Sequence, residues 1–140
     1  MSSKGAAAAF ASPTAGIHHV GLAVADLEAT VAFFTDCLAW SVVRDVPEYP
    51  ARFVSDGTHL VTLWQSAGGA AQFDRQRQIG LHHLAIAVRT QNDLLRLYQN
   101  AAQHMGVVVE FSPELLRGGP AMHCMLYEPG GIRIELIWVP

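Results

Sequence analysis

Two histidines occupy the same place in two copies of one short pattern. Gly16-Ile17-His18-His19-Val20-Gly21-Leu22-Ala23-Val24 aligns with Gly80-Leu81-His82-His83-Leu84-Ala85-Ile86-Ala87-Val88 at a constant offset of 64 residues. A duplicated half is the simplest source of such a repeat. Late in the chain, Glu135 lies in the run Ile132-Arg133-Ile134-Glu135-Leu136. The imidazoles of His19 and His83 and the carboxylate of Glu135 are donors suited to a divalent transition metal, and three protein ligands leave coordination positions open for water or substrate. An ion so held acts as a Lewis acid on a carbonyl, enolate or alkoxide oxygen. A lone strand histidine is more often packed or solvated than ligating, and a lone glutamate is usually exposed. Repetition at one offset separates His19 and His83 from that background.

Strand alternation places these groups. His19, Gly21 and Ala23 share one face, and Val20, Leu22 and Val24 the other; His83, Ala85 and Ala87 divide in the same way from Leu84, Ile86 and Val88. The bulky faces are expected to pack on helices, leaving the small-residue faces to line a cleft. In the last strand Arg133 and Glu135 fall on that cleft side, opposite Ile132, Ile134, Leu136 and Trp138. Parity turns His18 and His82 away from the cleft, and His59, His104 and His123 read as surface or loop histidines.

Each half continues with a helical period. Asp26 is placed to cap the first helix, with Leu27, Val31 and Phe34 facing a core, and Asn92 or Asp93 to cap the second, where Leu95 and Tyr98 match Val31 and Phe34. Short β-rich runs follow: Trp40 to Val43, then Arg52 to Val54, an Asp56-Gly57 hairpin and His59 to Trp64; in the second half Ala121 to Tyr127, a Pro129-Gly130-Gly131 turn and Ile132 to Trp138. The expected fold is α+β, two βαβββ modules forming a curved mixed sheet around a cleft. Its parts are a flexible tail over 1–15 and one domain over 16–140, divided into module one (16–66), a linker (67–79) and module two (80–140).

Composition narrows the function. The 140 residues are 51% hydrophobic and 15% charged, which suits a packed globular domain and not a disordered chain. A net charge of −3 without any Lys/Arg cluster lacks the electrostatic footprint of a nucleic-acid or membrane-surface binder. No apolar run approaches the roughly 20 residues of a membrane span. Cys37 and Cys124 show no CxxC spacing and read as reduced thiols of a cytoplasmic protein.

These motifs, in this order, resemble the vicinal oxygen chelate superfamily, which includes glyoxalase I, extradiol dioxygenases, fosfomycin-resistance enzymes and bleomycin-resistance proteins. The resemblance runs from Gly16 to Val139. It is carried by His19-Val20-Gly21-Leu22-Ala23-Val24-Ala25-Asp26-Leu27, by Phe33-Phe34 followed by Leu38-Ala39-Trp40, and by Pro129-Gly130-Gly131-Ile132-Arg133-Ile134-Glu135-Leu136. It implies metal positions on the first and last strands of each module, here His19, Thr62, His83 and Glu135. Thr62 departs from the carboxylate-like ligand that glyoxalase I carries there and speaks against glutathione-dependent isomerisation. The remaining His, His, Glu set is similar to the triad of extradiol dioxygenases and the site of fosfomycin-resistance enzymes, a choice that leaves Fe, Mn, Ni, Zn and Co undistinguished. The resemblance also makes Tyr127 a candidate acid beside Glu135, makes Arg117-Gly118-Gly119 a loop over the ligand, and sets Thr62, Trp64 and Arg117 along the substrate cleft.

The resulting expectation is a divalent-metal-dependent enzyme, glyoxalase- or dioxygenase-like, acting on a small oxygenated substrate that chelates the ion, and working as a homodimer. The alternative is a metal-independent, bleomycin-resistance-like protein that sequesters a small molecule or antibiotic in an apolar groove lined by Trp40, Trp64, Trp138 and Phe53.

Overall fold

The computed structural model describes residues 11–140, so most of the tail expected over 1–15 lies outside the described residues. Two modules follow one another with the same layout. Module one comprises β1 (Val20–Val24), α1 (Leu27–Ala32, continued by a wider helical turn over Phe33–Cys37), β2 (Ser41–Val46), β3 (Ala51–Ser55) and β4 (Leu60–Gln65). Module two comprises β5 (Leu84–Val88), α2 (Gln91–Gln103), β6 (Val108–Leu115), β7 (Met122–Tyr127) and β8 (Arg133–Trp138). The sheets run β1-β4-β3-β2 and β5-β8-β7-β6, each with one parallel pair and two antiparallel pairs. The fold is α+β with two βαβββ modules.

The expected strand faces are the observed ones. Leu22 and Val24 are buried while Gly21 and Ala23 are open to solvent, and on β8 Ile134 and Leu136 are buried opposite Arg133 and Glu135. The aliphatic faces and both helices enclose one core that joins the modules, including Leu22, Val24, Phe33, Phe34, Leu63, Leu94, Leu126, Ile134 and Leu136. Each large side chain fully buried there contributes on the order of 1.5–3 kcal/mol of transfer free energy.

Asp26 caps α1, its carboxylate accepting the Ala29 N–H at 3.1 Å. The α2 cap is Thr90, not Asn92 or Asp93: the Thr90 hydroxyl accepts the Asp93 N–H at 3.0 Å, while the Asp93 carboxylate pairs with Arg96 at 2.6 Å. Leu94, rather than Leu95, takes the core position, and Leu95 is left exposed. Trp40 is buried edge-on against Phe34 in the core and presents only its margin to the smaller of the two clefts. No helix among the described residues is long and apolar enough to cross a membrane.

The modules lie side by side. Gly21, Ala23 and Ala25 share one cleft of about 700 Å³ with Leu81 and His82, while His18, His19 and Val20 share another with Ala85, Ile86 and Ala87. β1 and β5 therefore pass each other in opposite directions. His19 and His83, each just ahead of its strand, consequently sit toward opposite ends of these two strands, which belong to separate sheets.

Candidate metal centre

The two modules place unlike side chains on the same framework. Gly21 pairs with Thr62 across β1 and β4, and Ala85 pairs with Glu135 across β5 and β8, so Thr62 and Glu135 are structural counterparts. Thr62 is 2% exposed, and its hydroxyl accepts the Trp64 indole N–H at 2.9 Å. A neutral hydroxyl already committed to an indole is a poor metal donor. Beside it, Trp64 lies on the open face with its ring centroid 6.2 Å from those of both Phe53 and Tyr49.

The second module gathers the titratable groups. His83 Nε2 lies 4.0 Å from Glu135 Oε1. The other carboxylate oxygen, Oε2, meets His123 Nδ1 at 2.9 Å, and His123 Nε2 is 3.8 Å from Glu114 Oε1. His123 is 9% exposed and its ring packs 5.0 Å from that of Phe111. The expectation of a surface or loop histidine is therefore wrong at this position. The signal that finds it is strand parity: β7 and β8 pair Met125 with Glu135 and His123 with Ile137, so odd-numbered residues on both strands share the cleft face.

The tautomer of His83 follows from its neighbours. Arg133 Nη1 lies 3.3 Å from His82 Nδ1, and a guanidinium only donates, so His82 Nδ1 accepts. His83 Nδ1, 2.7 Å from that same atom, must then carry the proton. In this tautomer His83 turns its Nε2 lone pair toward Glu135, the form that binds a metal. The imidazole pKa of His82 is lowered by desolvation and by the positive charge of Arg133 and Arg75, which agrees with its acceptor role. Parity misassigned His82, because it precedes β5 and is free of strand alternation.

His19 stands apart on module one. Its Nδ1 meets His18 Nδ1 at 2.9 Å, and it is exposed. Within one chain, no group of three or more His, Cys, Asp or Glu side chains among the described residues converges on a point where an ion would sit. The donor chemistry of His83 and Glu135 fits a divalent ion, and His19 supplies an equivalent donor on the other module's open face.

Tyr127 shares the cleft face with Glu135 but keeps other company: its hydroxyl accepts from Arg75 Nη1 at 3.1 Å. Arg117 is exposed in a short turn at Leu116–Gly118, after β6, with φ of 51°. The thiols take no part. Burial pushes Cys124 up to about 11 and also raises Cys37, leaving both protonated at neutral pH.

The sequence profile of the Glyoxalase/Bleomycin resistance protein/Dioxygenase superfamily matches residues 16–136. Over 126 residues the chain is 28% identical to a probable chloroplastic lactoylglutathione lyase of Arabidopsis thaliana, covering 85% of this chain and 34% of that protein. It is 29% identical over 126 residues to a putative lactoylglutathione lyase of Brassica oleracea var. gemmifera, covering 85% and 43%. The chain therefore spans less than half the length of these relatives. Among solved structures, a glyoxylase/bleomycin resistance protein/dioxygenase domain from Frankia sp. EAN1pec superimposes with a TM-score of 0.76 at 24% identity over 91% of this chain and 93% of that one. A lactoylglutathione lyase from Agrobacterium tumefaciens gives 0.68 at 17% identity over 91% and 96%. Both structural likenesses speak for the fold alone.

Proposed function

This chain belongs to the Glyoxalase/Bleomycin resistance protein/Dioxygenase superfamily, and on that premise we propose that it is a divalent-metal-dependent enzyme acting on a small substrate that chelates the ion through two oxygens. The observation that carries this reading is the His83 lone pair aimed at Glu135 Oε1, 4.0 Å away. When bound, the ion would supply Lewis-acid stabilisation of an enolate or alkoxide. His83 and Glu135 would hold it, with His19 of a second copy as the third ligand, because β1 and β5 keep the two histidines of one chain apart. A homodimer in which each module-two face meets a module-one face completes the set.

The chain's own groups have separate tasks on this reading. His123 orients Glu135 by occupying Oε2, leaving Oε1 for the ion. Gly21, Ala23, Ala85 and Ala87 keep the floor of the cleft low enough for substrate to reach it. Thr62, in place of a fourth ionisable ligand, favours chemistry driven by the metal's open positions over glutathione-linked isomerisation.

Metal titration by calorimetry is the test, using Mn(II), Fe(II), Ni(II), Co(II) and Zn(II) on chelator-treated protein. One ion bound per chain is expected, with loss of binding in both His83→Ala and His19→Ala. Wild-type protein that ignores all five ions would overturn the proposal. A second reading, sequestration without catalysis, draws on the open aromatic trio of Trp64, Phe53 and Tyr49; ligand-induced tryptophan quenching indifferent to chelator would favour it.

A further inference from the structure

The larger cleft contains more positive charge than its structure requires. Arg133, with a side chain 10% exposed, gives both of its fork contacts to Glu110, at 2.9 Å and 2.6 Å. That carboxylate is then spent. Arg75, reaching in from the segment between the modules, has only the Tyr127 hydroxyl at 3.1 Å and a 4.0 Å approach to the same Glu110. Two guanidiniums thus face one carboxylate, leaving one positive charge and several N–H donors of Arg75 directed at the cavity.

No other acid in the cleft answers that charge. Glu128 also lines the cavity, but its oxygens accept from Gly130 N–H, Ile132 N–H and the Thr30 hydroxyl, and burial raises its pKa. Glu135 is held by His123. Apart from Ser66, Gln72 and His82, which carry no carboxylate, the rest of the lining is small or apolar, Phe73, Leu81, Val108 and Ile132 among it. At about 700 Å³ the cleft suits a small molecule, and a single unmatched guanidinium in an apolar wall is balanced by a monoanion. A phosphate dianion would carry one charge too many.

Position links this spot to the metal donors. Arg133 and Glu135 lie two residues apart on one face of β8, roughly 7 Å along the strand. We propose that Arg75 and Arg133, with Tyr127, form a carboxylate-binding subsite, so that the substrate is a small oxygenated acid whose carboxylate rests on Arg75 while its other end reaches His83 and Glu135. This names a substrate class for the proposed enzyme and rests on that reading for the second half of the statement.

The subsite is tested without metal. Calorimetric titration of monomethyl glutarate, a monoanion, into chelator-treated protein is expected to show saturable binding, absent for dimethyl glutarate and weakened about tenfold in Arg75→Gln, the loss of one charge-assisted contact. Arg77→Gln, whose side chain is 88% exposed in the same segment, is expected to bind monomethyl glutarate as the wild type does. Undetectable binding of the monoester, equal binding of the diester, or an unchanged Arg75→Gln affinity each overturns the subsite. The two proposals fail separately: monoester binding by protein that takes up no ion leaves the subsite and sinks the metal reading, while ion uptake without monoester binding does the reverse.

Discussion

The concave faces of the two modules show what duplication preserves and what it releases. Backbone, strand order and the two histidines are common to both. On module one the remaining face is Thr62, Trp64, Phe53 and Tyr49; on module two the matching ground holds Glu135, His123, Arg133 and Tyr127. Module one offers aromatic surface and a single donor, whereas module two concentrates charge. A site assembled from one face of each kind obtains an apolar wall and a set of ionisable groups without either module burying both.

The turns before β4 and β8 repeat this contrast. In module one the Asp56 carboxylate accepts the N–H groups of Thr58 and His59 at 2.9 Å and 2.7 Å in solvent. In module two Glu128 does the same for Gly130 and Ile132 at 2.7 Å and 3.0 Å, but it is 2% exposed because the turn docks on module one: Ala25 N–H donates to the Gly130 carbonyl at 2.9 Å and the Thr30 hydroxyl to Glu128 at 2.8 Å. A methyl group at Gly130 would overlap the Thr30 hydroxyl and stand 2.9 Å from Val24 Cβ, whereas one at Gly57 would meet nothing and suffer only its φ of +100°. Gly130→Ala is expected to lower unfolding free energy by about 3 kcal/mol and Gly57→Ala by about 1 kcal/mol, read from urea midpoints. Equal effects would erase the distinction between a docked turn and a free one.

The histidine pairs differ next. His82 is fixed by Arg133 as well as by His83, and no arginine occupies the equivalent place beside His18, where β4 carries Leu60. If a committed tautomer is what readies His83, His82→Ala should weaken Mn(II) or Zn(II) binding roughly 10- to 100-fold, the usual effect of removing a hydrogen-bond partner of a ligand. His18→Ala should change it much less. Competition titration against a chromogenic chelator measures both, and identical losses would show that the arginine contributes nothing.

Much of the framework was legible in the sequence because repetition and period-2 alternation are strong signals. The 64-residue offset fixes the modules, and alternation correctly sends Leu22, Val24, Ile134 and Leu136 inward. Carried one step further, the same offset maps Asp26 onto Thr90 and so finds the second cap that local propensity placed at Asn92 or Asp93. His123 was hidden for another reason: the histidine 64 residues before it, His59, is exposed just ahead of β4, and the meaning of His123 depends on the register of β7 against β8, a pairing that only the turn at Gly130 and Gly131 determines. Arg75 carried no signal at all. Loop residues obey no period, and its approach to Tyr127 depends on how the segment between the modules folds back.

The smallest expected effect is in pH dependence, where the two turns should respond in opposite directions. Asp56 loses solvation, but the His59 and Thr58 N–H groups and the His59 ring outweigh that and hold it at about 2, below its ordinary 3.8. Its ionised form is favoured by folding, so its contribution is present above pH 4 and fades as pH falls from there toward 2. With the side chain 36% exposed, solvent screening leaves less than about 1 kcal/mol. Burial instead raises Glu128 above its ordinary 4.5, against its three hydrogen bonds. The folded state then binds that proton more tightly than the unfolded chain, so stability declines as pH rises from 4.5 toward the raised value. Urea unfolding from pH 3 to 8 should therefore show Asp56→Asn flattening the acidic limb and Glu128→Gln flattening the decline above 4.5. An Asp56→Asn profile parallel to wild type below pH 4, or a Glu128→Gln profile that still falls above 4.5, would mean that docking the second turn against module one does not reverse the proton linkage of its carboxylate.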